Sequence, residues 1–66
     1  VKIEVNGRER DVPEGASLHD FILGTGVKPE GVIAELNRRV MGRDLWKETL
    51  LSSGDSLELV SLVGGG

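Results

Sequence analysis

Ser56-Leu57-Glu58-Leu59-Val60-Ser61-Leu62-Val63 runs without interruption into Gly64-Gly65-Gly66. Apolar and polar residues alternate through Leu57, Glu58 and Leu59, the period of a half-buried strand. Leu57, Leu59 and Ser61 then point to one side of a sheet, and Glu58, Val60 and Leu62 to the other. The first strand, Lys2-Ile3-Glu4-Val5, shows the same alternation. The segment after it, Arg8-Glu9-Arg10-Asp11-Val12, is almost wholly charged. The two apolar-rich strands are therefore expected to pair as parallel neighbours in mid-sheet. The charged one falls at an edge, where its charges discourage pairing with other chains.

Between these strands the local signals are dense. Asn6-Gly7 tolerates positive φ at both central positions of a tight hairpin. Ser17 can cap a helix, with Asp20 three residues on reaching back. Leu18, Phe21 and Ile22 supply one apolar stripe for a helix of about two turns, which needs a sheet to hold it. Gly24 and Gly26 stop it. Val32-Ile33-Ala34-Glu35-Leu36 reads as a third strand and Arg39-Val40-Met41 as a short fourth, turned by Asn37-Arg38. Asp44-Leu45-Trp46-Lys47 suits a single helical or 3₁₀ turn, and Ser52-Ser53-Gly54-Asp55 turns into the last strand.

This order predicts an α+β domain: a mixed four- to five-stranded sheet with one main helix packed on one face. Residues 1–63 form the body and residues 64–66 a flexible C-terminal tail. The expected core is Ile3, Val5, Val12, Leu18, Phe21, Ile22, Val32, Ala34, Leu36, Val40, Leu50, Leu57 and Leu59, with Trp46 covering its edge. If Leu57 and Leu59 face the helix, Val60 and Leu62 lie on the open face of the sheet with Ile33 and Glu35. Those four are the candidate partner-docking residues.

Composition narrows the chemistry. A chain of 66 residues with net charge −3 carries no basic footprint for nucleic acid. It has no cysteine, so it offers neither a thiolate nucleophile nor a disulfide framework. No stretch approaches the roughly 20 apolar residues of a membrane span, and the chain reads as cytoplasmic and monomeric when free. His19 is the one histidine and has no evident nucleophile beside it. A metal site needs several ligands, so neither a catalytic residue nor a metal site is expected. Arg38, Arg39 and Arg43 read as a solvated turn.

The chain resembles the ubiquitin-like sulfur carriers of the ThiS/MoaD family, and ThiS in particular along its whole length. The residues that carry the resemblance are Asn6-Gly7, Ala34-Glu35-Leu36-Asn37 with Val40, Arg43-Asp44-Leu45-Trp46, Gly54-Asp55 and the terminal Gly65-Gly66. Asp55 to Gly66 also align without a gap to the end of ubiquitin. The length and the Trp46 segment favour ThiS over MoaD. One position departs: ThiS proteins often have Ala where this chain has Gly64, a loss of one methyl that leaves the chemistry untouched.

The resemblance implies a ubiquitin-like β-grasp fold and a role as protein cosubstrate in thiamin (thiazole) biosynthesis rather than as an enzyme. Read as the end of the chain, Gly66 presents a free carboxylate, which is ionised at neutral pH and a poor electrophile until activated. No P-loop or other nucleotide motif is present, so no cofactor is expected on this chain, and ATP with Mg belongs to a partner. A ThiF-like adenylyltransferase would adenylate Gly66. A cysteine desulfurase or other persulfide donor would convert the adenylate to a thiocarboxylate, and a ThiG-like thiazole synthase would receive the sulfur. Gly64 and Gly65, without Cβ, form a thin thread for the partner's active site. The alternatives are a MoaD-like small subunit of molybdopterin synthase and a ubiquitin-like protein modifier.

Overall fold

The computed structural model describes residues 1–62. The expected boundary after residue 63 and the residues Gly64, Gly65 and Gly66 lie outside that range. Among the described residues are five strands: β1 (Lys2–Val5), β2 (Arg8–Asp11), β3 (Val32–Leu36), β4 (Arg39–Met41) and β5 (Ser56–Ser61). One α-helix, α1 (Leu18–Gly24), follows the first hairpin. Short 3₁₀ helices span Pro29–Gly31 and Arg43–Glu48.

The sheet runs β2-β1-β5-β3-β4. β5 is thus the central strand, parallel to β1 and antiparallel to β3. Its place follows from its apolar content, since Leu57 is 1% exposed, and the charged β2 takes the edge. In the β1–β2 hairpin, Asn6 and Gly7 adopt φ of 50° and 82°. Such values are what a two-residue I′ connection requires, and they are cheap for Asn and Gly. In the second hairpin Asn37 and Arg38 take φ of 51° and 69°, and the Asn again lowers the cost.

α1 starts where the capping signals place it. The Ser17 Oγ accepts from the Asp20 amide at 3.0 Å, and the Asp20 carboxylate accepts from the Ser17 amide at 3.4 Å. Leu18 and Ile22 are fully buried. The helix is too short to persist alone, so the cap and these two side chains hold it. Ser17→Ala is expected to lower unfolding free energy by about 1 kcal/mol, read as a lower urea midpoint with unchanged slope. An unaltered midpoint would show that Leu18 and Ile22 suffice.

The core gathers Ile3, Val5, Val12, Leu18, Ile22, Ala34, Leu36, Trp46, Leu51 and Leu57, with Phe21, Val32 and Leu59 partly buried against it. Three sequence-based expectations are corrected. Val40 is 67% exposed, because its register opposite Glu35 aims it away from the helix. Leu50 is 59% exposed and Leu51 takes its place inside. The backbone there bridges to Ser17, with the Leu18 amide donating to the Thr49 carbonyl and the Leu51 amide to the Ala16 carbonyl. Trp46 does more than cover an edge. At 1% exposure it is among the largest fully buried side chains, and its Nε1 donates to the Met41 carbonyl at 2.9 Å. The 3₁₀ helix that carries it packs against α1.

Candidate functional site

The face of the sheet opposite α1 has no described element covering it. The β3–β5 register sets Ile33 opposite Val60 and Glu35 opposite Glu58. The β3–β4 register adds Val40 beside Glu35. Leu62 continues the alternation, its amide donating to the Gly31 carbonyl at 2.7 Å. Ile33, Val40, Val60 and Leu62 are all exposed, so four apolar side chains share this face, with Ile33, Val60 and Leu62 at the end where β5 terminates. Glu35 is half-buried among them.

Ile33, Glu35, Val60 and Leu62 therefore stand together as the alternation of β5 implies. Val40 was missed because three residues are too few to display a period. Its pairing opposite Glu35 across the Asn37-Arg38 turn was the available signal.

Carboxylates outnumber cations on this face. Glu35 and Glu58 are direct cross-strand neighbours, as are Glu4 and Glu9. Like charges in directly opposed positions disfavour the sheet. Lys2 reaches Glu9 at 3.9 Å, whereas neither Glu35 nor Glu58 forms a salt bridge among the described residues. The result is an apolar patch bordered by unneutralised carboxylates, which an apolar surface with a basic rim would complement.

The remaining features offer less. His19 borders a shallow cleft with Pro29, Arg43, Asp44 and Lys47. A second open groove, lined by β2 and α1, has the Arg10 guanidinium 5.7 Å over the Phe21 ring. Among the described residues no three His, Cys, Asp or Glu side chains gather as a metal site would require. No described helix is long and apolar enough to cross a membrane.

The comparison that decides the family covers nearly every residue: the family model described as the ThiS family matches residues 2–66. The chain belongs to the ThiS family. Its sheet and helix are those of the ubiquitin-like β-grasp fold, the mixed sheet having the full five strands. The crystal structure of the thiamine biosynthesis protein ThiS from Geobacter metallireducens superposes with a TM-score of 0.84 at 29% identity, over all of both chains. Among curated proteins, a thiazole synthase of Magnetococcus marinus is 33% identical over 66 residues. That match takes in all of this chain but 20% of the relative, and a thiazole synthase of Paramagnetospirillum magneticum shows the same proportions at 27% identity. The chain thus spans about a fifth of the length of these curated relatives. The uncharacterized protein ycf40 of Pyropia yezoensis is 30% identical over 66 residues and is matched along 93% of its length.

Within this fold the residues that carry the resemblance have physical roles. The Asn37 carboxamide accepts from the Ser56 amide at 2.9 Å and donates to the Asp55 carboxylate at 2.9 Å. The other Asp55 oxygen accepts from the Ser52 amide at 2.7 Å. Asn37 and Asp55 therefore fix the start of β5, and Trp46 fills part of the core. These motif residues build the body that carries the site.

Proposed function

We propose that this ThiS-family chain is the sulfur carrier of thiamin thiazole synthesis, a protein cosubstrate whose reactive group is the Gly66 carboxyl. The observation that carries the reading is the family match along residues 2–66, with the central strand β5 preceding Gly64-Gly65-Gly66 in the sequence. Similarity to thiazole synthases supports that class of enzyme as the sulfur acceptor.

In this cycle the Gly66 carboxylate attacks the α-phosphorus of ATP in the site of a ThiF-like adenylyltransferase, and pyrophosphate leaves. A persulfide sulfur, from a cysteine desulfurase or another donor, then attacks the acyl carbon and AMP departs. A further thiol takes up the donor's sulfur as a disulfide, leaving a thiocarboxylate on Gly66. A ThiG-like thiazole synthase accepts that sulfur. ATP and Mg belong to the activating partner, and the location is cytoplasmic.

Residues 64–66 serve as the thread into partner sites. Ordering such a thread costs roughly 1–2 kcal/mol per residue, which docking of the body must offset. Ile33, Glu35, Val60 and Leu62, joined by Val40, form the docking face, for a partner surface with an apolar centre and basic rim. Replacing Ile33 and Val60 together by Thr keeps both β-branched shapes and removes apolar contact. The KM for adenylation is then expected to rise about tenfold, with a nearly unchanged melting temperature because both side chains are exposed. An unchanged KM would place docking elsewhere.

The reading itself is tested with residues 1–66, a ThiF-class adenylyltransferase and Mg-ATP. Pyrophosphate release that depends on this chain, with a mass gain of one AMP at Gly66, is the expected result. Pyrophosphate release without any modified chain, or none at all, would overturn it.

A further inference from the structure

The geometry points to Asn6 as a positioning residue that aims the reactive end of β5, a role resting on the carrier reading above. β1 ends at Val5 and the chain turns away through Asn6 and Gly7. The Asn6 amide makes the next parallel rung, donating to the Leu57 carbonyl at 2.9 Å. Its carboxamide then makes a rung that no backbone remains to make. Oδ1 accepts from the Leu59 amide at 2.8 Å, and Nδ2 donates to the Leu59 carbonyl at 3.3 Å. Both polar groups of Leu59 are thus held by a side chain 53 positions away.

This grip falls at the point where β5 parts from β1. Past it, Val60 stays in register with Ile33 and the Leu62 amide bonds to the Gly31 carbonyl, both on the β3 side. The Asn6 carboxamide holds Leu59 from the β1 side, opposite the β3 bonds, so it sets where β5 points at that level. It also fixes the exit relative to Val60 and Leu62 on the docking face. A body docked by that face then starts the thread from one fixed point. Loss of the grip adds directions that must be discarded on binding, a cost carried by the complex.

The turn itself requires only positive φ, which Gly adopts as readily as Asn. Asn6→Gly therefore keeps the hairpin and deletes the grip alone. Asn37→Gly is its counterpart at the start of β5: φ is likewise positive, at 51°, and the carboxamide bonds to Ser56 and Asp55 are lost. Asn6→Asp retains the acceptor for the Leu59 amide and loses the donor.

The experiment combines amide hydrogen exchange with steady-state adenylation by a ThiF-class adenylyltransferase on residues 1–66. In Asn6→Gly the Leu59 amide is expected to exchange at least about tenfold faster, since it loses its acceptor. KM is expected to rise about threefold to tenfold with kcat unchanged, because Asn6 acts on delivery and not at the acyl carbon. Asn6→Asp should fall between wild type and Gly, and Asn37→Gly should lower stability without raising KM. Adenylation with an unchanged KM in Asn6→Gly, or an equal rise in Asn37→Gly, would overturn the positioning role alone. No adenylation of the wild-type chain would overturn the carrier reading and this role with it.

Discussion

Deletion of Gly66 is expected to abolish thiocarboxylate formation while the fold stays intact. The deletion moves the carboxyl to Gly65, about 3.5 Å short of its former reach along an extended chain. Displacements of about 1 Å in a reacting group can cost roughly 100-fold, so adenylation should fall at least that far. The core side chains run from Ile3 to Leu57, and the deletion touches none of them. The melting temperature should therefore stay within about 3 °C of the parent. A retained rate would remove Gly66 from the chemistry. A collapse in stability would make residues 63–66 part of the folded body.

The largest loss of stability is expected for Trp46→Ala. Emptying a fully buried Trp site costs about 3–5 kcal/mol. The Met41 carbonyl also loses the indole N–H that donates to it at 2.9 Å, and the loss of a part-buried hydrogen bond adds about 1 kcal/mol. A domain of 66 residues has roughly 3–10 kcal/mol in total at ordinary values per residue. The variant should thus be largely unfolded at 37 °C, read by far-ultraviolet circular dichroism because the fluorophore is gone. Trp46→Phe refills most of the volume and should recover a cooperative transition. A Trp46→Ala melting curve like the parent's would mean that the core closes without this residue.

What could be read from residues alone follows the range of each interaction. The Asn6-Gly7 hairpin, the Ser17–Asp20 cap and the period of β5 are local, and the structure has all three. The parallel pairing of β1 and β5 was legible from a contrast, since the charged β2 cannot occupy mid-sheet. Val40, Leu50 and Trp46 were misplaced for a common reason. A three-residue strand, an adjacent Leu50-Leu51 pair and a 3₁₀ helix show no period from which a direction can be taken. Their orientations come from pairings rather than from periodicity: Glu35 for Val40 and Met41 for Trp46, both near in sequence, and the distant Ser17 for Leu50.

The candidate site divides in the same way. Ile33, Glu35, Val60 and Leu62 share a face by strand alternation, which two local runs suffice to indicate. The apposition of Glu35 and Glu58 depends on register, and register is a property of the whole sheet. Asn6 reads in the sequence as a turn residue. Its hold on Leu59 spans 53 positions and no local pattern announces it.

The most direct measurement is the intact mass of residues 1–66 after incubation with a ThiF-class adenylyltransferase, Mg-ATP and a persulfide donor with thiol. A carrier gains sulfur for one oxygen, with fragmentation placing the exchange on Gly66. A chain that is adenylated and hydrolysed but never takes up sulfur, or that appears only as conjugates on lysines of other proteins, would contradict the carrier role.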